Sequence, residues 1–173
     1  MKCTYFSFFI FMMISQFIIA QDAEKKLLEL KLVLPPTSSP VASYVNAVRV
    51  GNLMYLSGKG PKKLDGTYLT GKVGESLTVE QGKEAARLTG LIVLAELKAQ
   101  LKDLNKVKRI VKVLGMVNAS PDFDRHPQVI NGFSDLMIEV FGDKGKHARS
   151  SVGVCSLPFG MAVEIEMIIE VEN

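Results

Sequence analysis

Histidine and cysteine, the side chains most often used as nucleophiles, bases and metal ligands near neutral pH, are scarce in this sequence. The two histidines are His126 and His147, and Cys155 is the one cysteine beyond the first twenty residues. That supply is too small for a zinc site built from several nitrogen and sulfur ligands. Gly58-Lys59-Gly60-Pro61-Lys62 lacks the spacing that lets backbone amides cradle a phosphate. No nucleophile elbow supports a Ser-His-Asp triad. What remains is the run His147-Ala148-Arg149-Ser150-Ser151-Val152-Gly153-Val154-Cys155-Ser156-Leu157-Pro158, followed by Val163-Glu164-Ile165-Glu166. An arginine keeps its charge at any working pH and grips a carboxylate with two parallel N–H donors. A carboxylate such as Glu164 can orient a water and accept its proton. Each also has a plainer reading on its own, Arg149 as a surface ion-pairing residue and Glu164 as a solvated strand carboxylate.

The elements that must carry these residues follow from period and punctuation. Ala23 to about Lys31 reads as a short amphipathic helix with Leu27, Leu28 and Leu30 apolar, stopped by the Pro-rich stretch from Leu34 to Pro40. Ser43 to Val50 and Leu53 to Gly58 alternate as strands around a Gly51-Asn52 turn. Gly58 to Gly74 is a Gly- and Lys-rich loop with room for a short strand at Tyr68 to Lys72. Thr78 and Gln81 have capping-box spacing and open a long helix to about Leu101, with Leu88, Leu91, Ile92, Ala95 and Ala99 at three- and four-residue steps. Val107 to Val117 is strand-like. A second long helix starts near Pro127, carries the stripe Val129, Phe133, Leu136, Met137 and Val140, and stops at Gly142. Strands at Ser150 to Val154 and Ala162 to Val171 end the chain.

This order, ββ(β)αβαββ, predicts an α+β sandwich: a mixed β-sheet with two helices on one face. In the last strand Val163, Ile165, Met167, Ile169 and Val171 share the side expected to meet the helices. Ala162, Glu164, Glu166, Ile168, Glu170 and Glu172 share the other side, which nothing within the chain covers. That face is therefore either wetted or an oligomer contact. Cys155 is expected in or beside the core, without chemistry, and both histidines in structural roles.

The first twenty residues are a different material. Lys2 precedes an almost unbroken apolar run from Tyr5 to Ala20, and Gln21-Asp22-Ala23-Glu24-Lys25-Lys26 then turns polar. This is the pattern of an export signal cleaved after Ala20, and the run is short for a membrane span. An uncleaved anchor is the alternative. The chain thus divides into 1–20 (signal), 21–42 (helix and linker) and 43–173 (the domain). Without the signal, 20 basic and 18 acidic side chains leave a net charge of +2 and Cys155 as the lone cysteine. No intrachain disulfide can form, so stability rests on the core or on oligomerisation. Near neutrality without a basic stripe argues against nucleic acid as a partner.

Six short stretches, in order, resemble the Rid (reactive intermediate deaminase, YjgF-like) family. They are Tyr44-Val45, Val50-Gly51-Asn52, Ser57-Gly58 with Pro61, Ala148-Arg149-Ser150, Leu157-Pro158 and Glu164-Ile165-Glu166. The resemblance spans about Ser39 to Val171. It implies a chorismate-mutase-like fold and a homotrimer with sites between subunits. It also implies hydrolysis of 2-aminoacrylate-type enamines and imines to 2-oxo acids and ammonia, with no metal or organic cofactor. By resemblance, Arg149 holds the substrate carboxylate and Glu164 orients the attacking water. Gly58 and Ser151 line the pocket with backbone groups, Tyr44 is a pocket tyrosine, and Asn131 is a helix residue near the site. Ser151 stands where many members carry cysteine. Lys59 stands where glutamine is common, adding charge beside the pocket. The export signal is a further departure, since aminoacrylate arises in the cytosol.

Four functions compete on this reading. An exported deaminase acting on small carboxylates would release ammonia. A non-catalytic small-carboxylate-binding trimer would bind 2-oxo acids without turnover. An endoribonuclease would cleave RNA through further purification. A structural trimer would do none of these.

Overall fold

The computed structural model of the protein describes residues 22–37 and 43–172; the expected signal and its cleavage point lie outside the described residues. The elements are α1 (Ala23–Glu29), β1 (Ala47–Val50), β2 (Leu53–Lys59), α2 (Val79–Leu101), β3 (Val107–Asn118), α3 (His126–Phe141), β4 (Ala148–Val154) and β5 (Val163–Val171). The five strands form one mixed sheet in the order β1-β2-β5-β3-β4. Only β3 and β4 run parallel. Parallel neighbours need a crossover connection, and α3 supplies it.

The helices form where capping and periodicity say they should. At the start of α2, Thr78 Oγ1 accepts from the Gln81 amide while Gln81 Oε1 accepts from the Thr78 amide, which satisfies two donors the helix itself cannot use. Pro127 occupies the first turn of α3 and Gly142 ends it. In α3 Val129, Ile130, Phe133, Leu136, Met137 and Val140 are all fully buried against α2 and the sheet. Gly132 sets how closely the two helices approach, because a Cβ there would lie 2.0 Å from the Lys83 carbonyl oxygen of α2. Any other residue would push α3, and the polar side chains it carries, away from their positions. No helix among the described residues is long and apolar enough to cross a membrane.

In α1 only Leu27 of the three expected leucines turns inward, together with Ala23; Leu28 is exposed. Asp22 caps the helix. The Glu24 carboxylate accepts from the Leu104 amide at 3.0 Å and from Lys98 Nζ at 2.6 Å. The leading helix is thus docked on the body of the domain.

The last strand starts at Val163 and divides as its alternation requires; Ala162, expected on the glutamate side, precedes it and is fully buried. Val163, Ile165, Met167, Ile169 and Val171 are buried, while Glu164, Glu166, Ile168 and Glu170 line the face away from the helices. On that open face Tyr55 stands beside Ile168 and Val48, and Leu114 beside Glu166 and Ser150. The face forms an open groove of about 410 Å³ lined by Val48, Tyr55, Lys112, Leu114, Glu166 and Ile168 among others. Val48 and Val152 remain 51% and 42% exposed on it, an apolar surface of the kind monomers seldom leave to water.

Three local expectations are corrected. The first strand starts at Ala47 rather than Ser43, so Tyr44-Val45 precede it. The Val45 and Asn46 carbonyls bind the Ser57 hydroxyl and amide, which holds this segment beside β2 without a ladder. No strand forms at Tyr68 to Lys72; the loop makes only isolated bridges, Lys62 with Tyr68 and Thr70 with Met161. Cys155 is exposed rather than packed in the core. It lies one residue past the end of β4, where the chain leaves the sheet and its carbonyl accepts from Lys72 Nζ.

Candidate functional site

Arg149 sits on the edge strand β4, beside Val113 of β3. Side-by-side residues on neighbouring strands point to one face, and Val113 is fully buried under the helices. The arginine therefore points to the helix side, where α3 meets it. Nη1 donates to Asn131 Oδ1 at 3.0 Å and to Ser134 Oγ at 2.9 Å, and Nη2 donates to the Pro127 carbonyl at 3.4 Å. Asn131 and Ser134 are three apart in α3 and so share one helix face.

All three partners are neutral acceptors. Among the described residues Arg149 has no ion pair, although Asp135 lies close enough for its charge to favour the cation. Burial pulls the other way and holds the guanidinium below its ordinary value. A guanidinium has five N–H donors. Both on Nη1 are used, while Nε–H makes no hydrogen bond and one donor of Nη2 is left over. Nε and Nη2 share one edge of the guanidinium, the fork that takes a carboxylate with two parallel bonds, and its one recorded contact is the long bond from Nη2 to Pro127.

Ser151 follows on the same face of β4, beside Gly115. Its hydroxyl oxygen is shielded from solvent and has no hydrogen-bond partner among the described residues. A buried polar group left without a partner costs about 1–3 kcal/mol, so this hydroxyl is available to a ligand group or a water.

Glu164 lies elsewhere. It stands beside Met116 of β3, on the open face of the sheet. Burial pushes its carboxyl above the ordinary glutamate value, and the nearby Glu166 charge acts in the same direction. The carboxylate rests on Gly58, at the register shift between β2 and β5. A Cβ at Gly58 would come within 2.1 Å of Glu164 Oε1. Glycine is needed here for close approach.

The structure thus brings Arg149, Asn131 and Ser151 together at the β4 edge, and Gly58 and Glu164 together on the open face. It does not bring the two groups together within one chain. Tyr44 joins neither; it is 48% exposed near β1, at the opposite edge of the sheet from β4. Lys59 stands beside Ile165, on the helix side, and does not share the face of Glu164. Its Nζ donates to Asn46 Oδ1 at 2.5 Å. Burial lowers its tendency to hold a proton, against the charge of Glu96. No group of three or more His, Cys, Asp or Glu side chains placed to hold a metal ion occurs among the described residues.

Two residues were missed by sequence reasoning. Ser134 contacts Arg149 directly, and His147 contacts Ser134 at 3.0 Å. A signal was present for each: Ser134 is one helical turn from Asn131, and His147 is two residues from Arg149, on the same side of an extended chain.

Residues 24–170 match the family model described as "YjgF/chorismate_mutase-like, putative endoribonuclease". Protein TCP17 of Trypanosoma cruzi is 45% identical over 145 residues, covering 83% of this chain and 91% of that protein. A 2-iminobutanoate/2-iminopropanoate deaminase of Dermatophagoides farinae is 30% identical over 139 residues, covering 80% and 93%. Among solved structures, the Agrobacterium tumefaciens protein Atu1372, of unknown function, matches with a TM-score of 0.79 at 41% identity, covering 87% of this chain and 94% of that one.

Proposed function

Since the chain belongs to the YjgF/Rid family, we propose that it is an exported enamine/imine deaminase, hydrolysing small 2-imino acids to 2-oxo acids and ammonia in a homotrimer with sites between subunits. The observation that carries this reading is the Nε/Nη2 edge of Arg149. A half-buried arginine whose engaged donors meet only neutral acceptors leaves its charge uncompensated for an anion. An arginine kept for stability alone would gain more from an acidic partner. The deaminase of Dermatophagoides farinae lends the activity.

In this mechanism Arg149 binds the substrate carboxylate and so fixes the adjacent C=N carbon. Glu164 of a neighbouring subunit orients a water. The water oxygen bonds to the imine carbon, the C=N π pair moves to nitrogen, and Glu164 accepts a proton from the water. Glu164 passes that proton to nitrogen, giving the neutral carbinolamine; it then takes the hydroxyl proton and delivers it to the same nitrogen, and as the oxygen pair forms the carbonyl the C–N bond breaks and ammonia leaves. An imine carbon is already electrophilic, so positioning and one proton acceptor suffice. The raised proton affinity of Glu164 brings it nearer the range of an effective general base. Gly58 and Ser151 line the pocket from the two sides, and Tyr44 extends from the β1 edge toward it.

The direct test is release of ammonia and 2-oxo acid from a freshly generated imino acid. Turnover by the purified protein, abolished in Arg149→Ala, supports the reading. Pyruvate binding without any ammonia release would instead favour the non-catalytic carboxylate binder.

A further inference from the structure

Behind Arg149 stands a hydrogen-bond chain that ends in the backbone. His147 Nδ1 lies 2.6 Å from the Gly145 carbonyl oxygen, and His147 Nε2 lies 3.0 Å from Ser134 Oγ. A carbonyl can only accept, so Nδ1 carries the hydrogen. The Nε2 of a neutral imidazole must then accept, and the Ser134 hydroxyl donates to it. Ser134 has one hydrogen and two lone pairs. With its hydrogen committed to His147, a lone pair is left facing Arg149 Nη1 at 2.9 Å. Were the hydrogen free to turn toward Arg149, the hydroxyl would repel the guanidinium rather than hold it.

Each link is held in place. Ser134 is buried in α3. Gly145 is packed so tightly on α3 that a Cβ would lie 2.3 Å from the Met137 carbonyl oxygen, so its own carbonyl has a fixed position. Burial keeps the His147 imidazole below its ordinary value; the Gly145 bond opposes this and the Arg149 charge adds to it. The neutral form, which the chain of bonds requires, is the one favoured.

We propose that His147 is a positioning residue: through Ser134 it dictates which edge of Arg149 faces the ligand. Nη1 is tied back to Ser134 and Asn131, so the Nε/Nη2 edge is the one presented. This inference rests on the reading of Arg149 as the carboxylate clamp. It assigns to the segment before β4 a part in ligand geometry that touches no reacting atom.

Two measurements test it. Nitrogen-15 spectra of the imidazoles are simple, since His126→Gln leaves a single histidine. His147 is expected as the Nδ1–H tautomer, and pyruvate is expected to shift its ring signals in the wild type but not in Ser134→Ala. The second compares His147→Gln, which restores an acceptor near Nε2, with His147→Met, which fills the space without one. Pyruvate affinity is expected to fall about tenfold in the Met variant and to stay within about threefold of wild type in the Gln variant, at similar melting temperatures. The relay is overturned by an Nε2–H tautomer, by a ligand shift that survives Ser134→Ala, or by equal binding in the two variants. A wild type that binds no pyruvate overturns the clamp reading along with it; binding with equal affinity in both variants overturns the relay alone.

Discussion

Arg149 and Glu164 project from opposite faces of the same sheet. Arg149 stands beside Val113 under the helices, and Glu164 stands beside Met116 on the uncovered side. Their positions are three residues apart along β3 and two strand spacings apart across the sheet, or about 10 Å in each direction. If Arg149 is the clamp and Glu164 the base of the proposed reaction, the two cannot reach a common small substrate within one chain. A second copy would have to close the site.

Mixed trimers test that arrangement directly. Arg149→Ala and Glu164→Gln subunits, each inactive alone, are expected to regain activity when unfolded and refolded together. A site taking Arg149 from one subunit and Glu164 from another is intact in about a quarter of random pairings. No recovery in trimers shown by mass to be mixed would place both residues in one subunit's site and reject the shared arrangement.

Arg149→Lys keeps the charge and loses the fork. Two parallel bonds to a carboxylate become one mobile contact, and the neutral acceptors Asn131 and Ser134 lose a planar partner. We expect kcat/KM to fall about 10- to 100-fold, read from steady-state ammonia release. Unchanged kinetics would show that geometry at this residue is irrelevant.

Gly58→Ala displaces the Glu164 carboxylate, since a new Cβ would meet Oε1 at 2.1 Å. The obstructed group is the far end of a flexible side chain, so the fold yields without unfolding. The expected result is a kcat lowered about tenfold or more, with pyruvate affinity and melting temperature near wild type. A matching loss in pyruvate affinity would mean that Gly58 serves the clamp rather than the base.

Glu164→Gln separates stability from activity. A carboxyl whose folded value is raised holds its proton more tightly in the folded state. Its destabilising effect is absent below the unfolded value of about 4.5 and grows as pH rises from there to the raised folded value. The Gln variant should therefore melt higher than wild type at pH 7 and no higher at pH 4, while losing about 100-fold or more in kcat. In the wild type, activity should fall on acidification at a pH above the usual glutamate range. Equal melting at both pH values would remove the case for a desolvated carboxyl.

If the first twenty residues act as a cleaved export signal, the amino terminus of the mature protein is expected to be Gln21. Mass spectrometry of material recovered outside the cytoplasm of an export-competent host checks this. A chain retaining Met1 in the membrane fraction would favour the uncleaved anchor.

Much of the fold was legible because its signals are local. Thr78 and Gln81 announce α2 from three residues apart, and the alternation from Val163 to Val171 names the buried side of β5 before any partner is known. The first strand was overextended because Ser43 to Asn46 also alternates, yet its carbonyls bind Ser57 instead of a ladder. Cys155 was misplaced because composition ranks cysteine among buried residues, while the end of β4 decides its exposure.

By itself the sequence determined which residues carry charge, which side of each strand and helix is apolar, and the family to which the chain belongs. These are properties of types and spacings along one dimension. Tertiary structure alone decided that α3 lies on Arg149 with Asn131 and Ser134, that His147 stands behind them, and that Arg149 faces away from Glu164. The side of Glu164 followed from the alternation of its own strand, but the opposite side of Arg149 depends on strand order and register between segments dozens of residues apart, which no local period encodes.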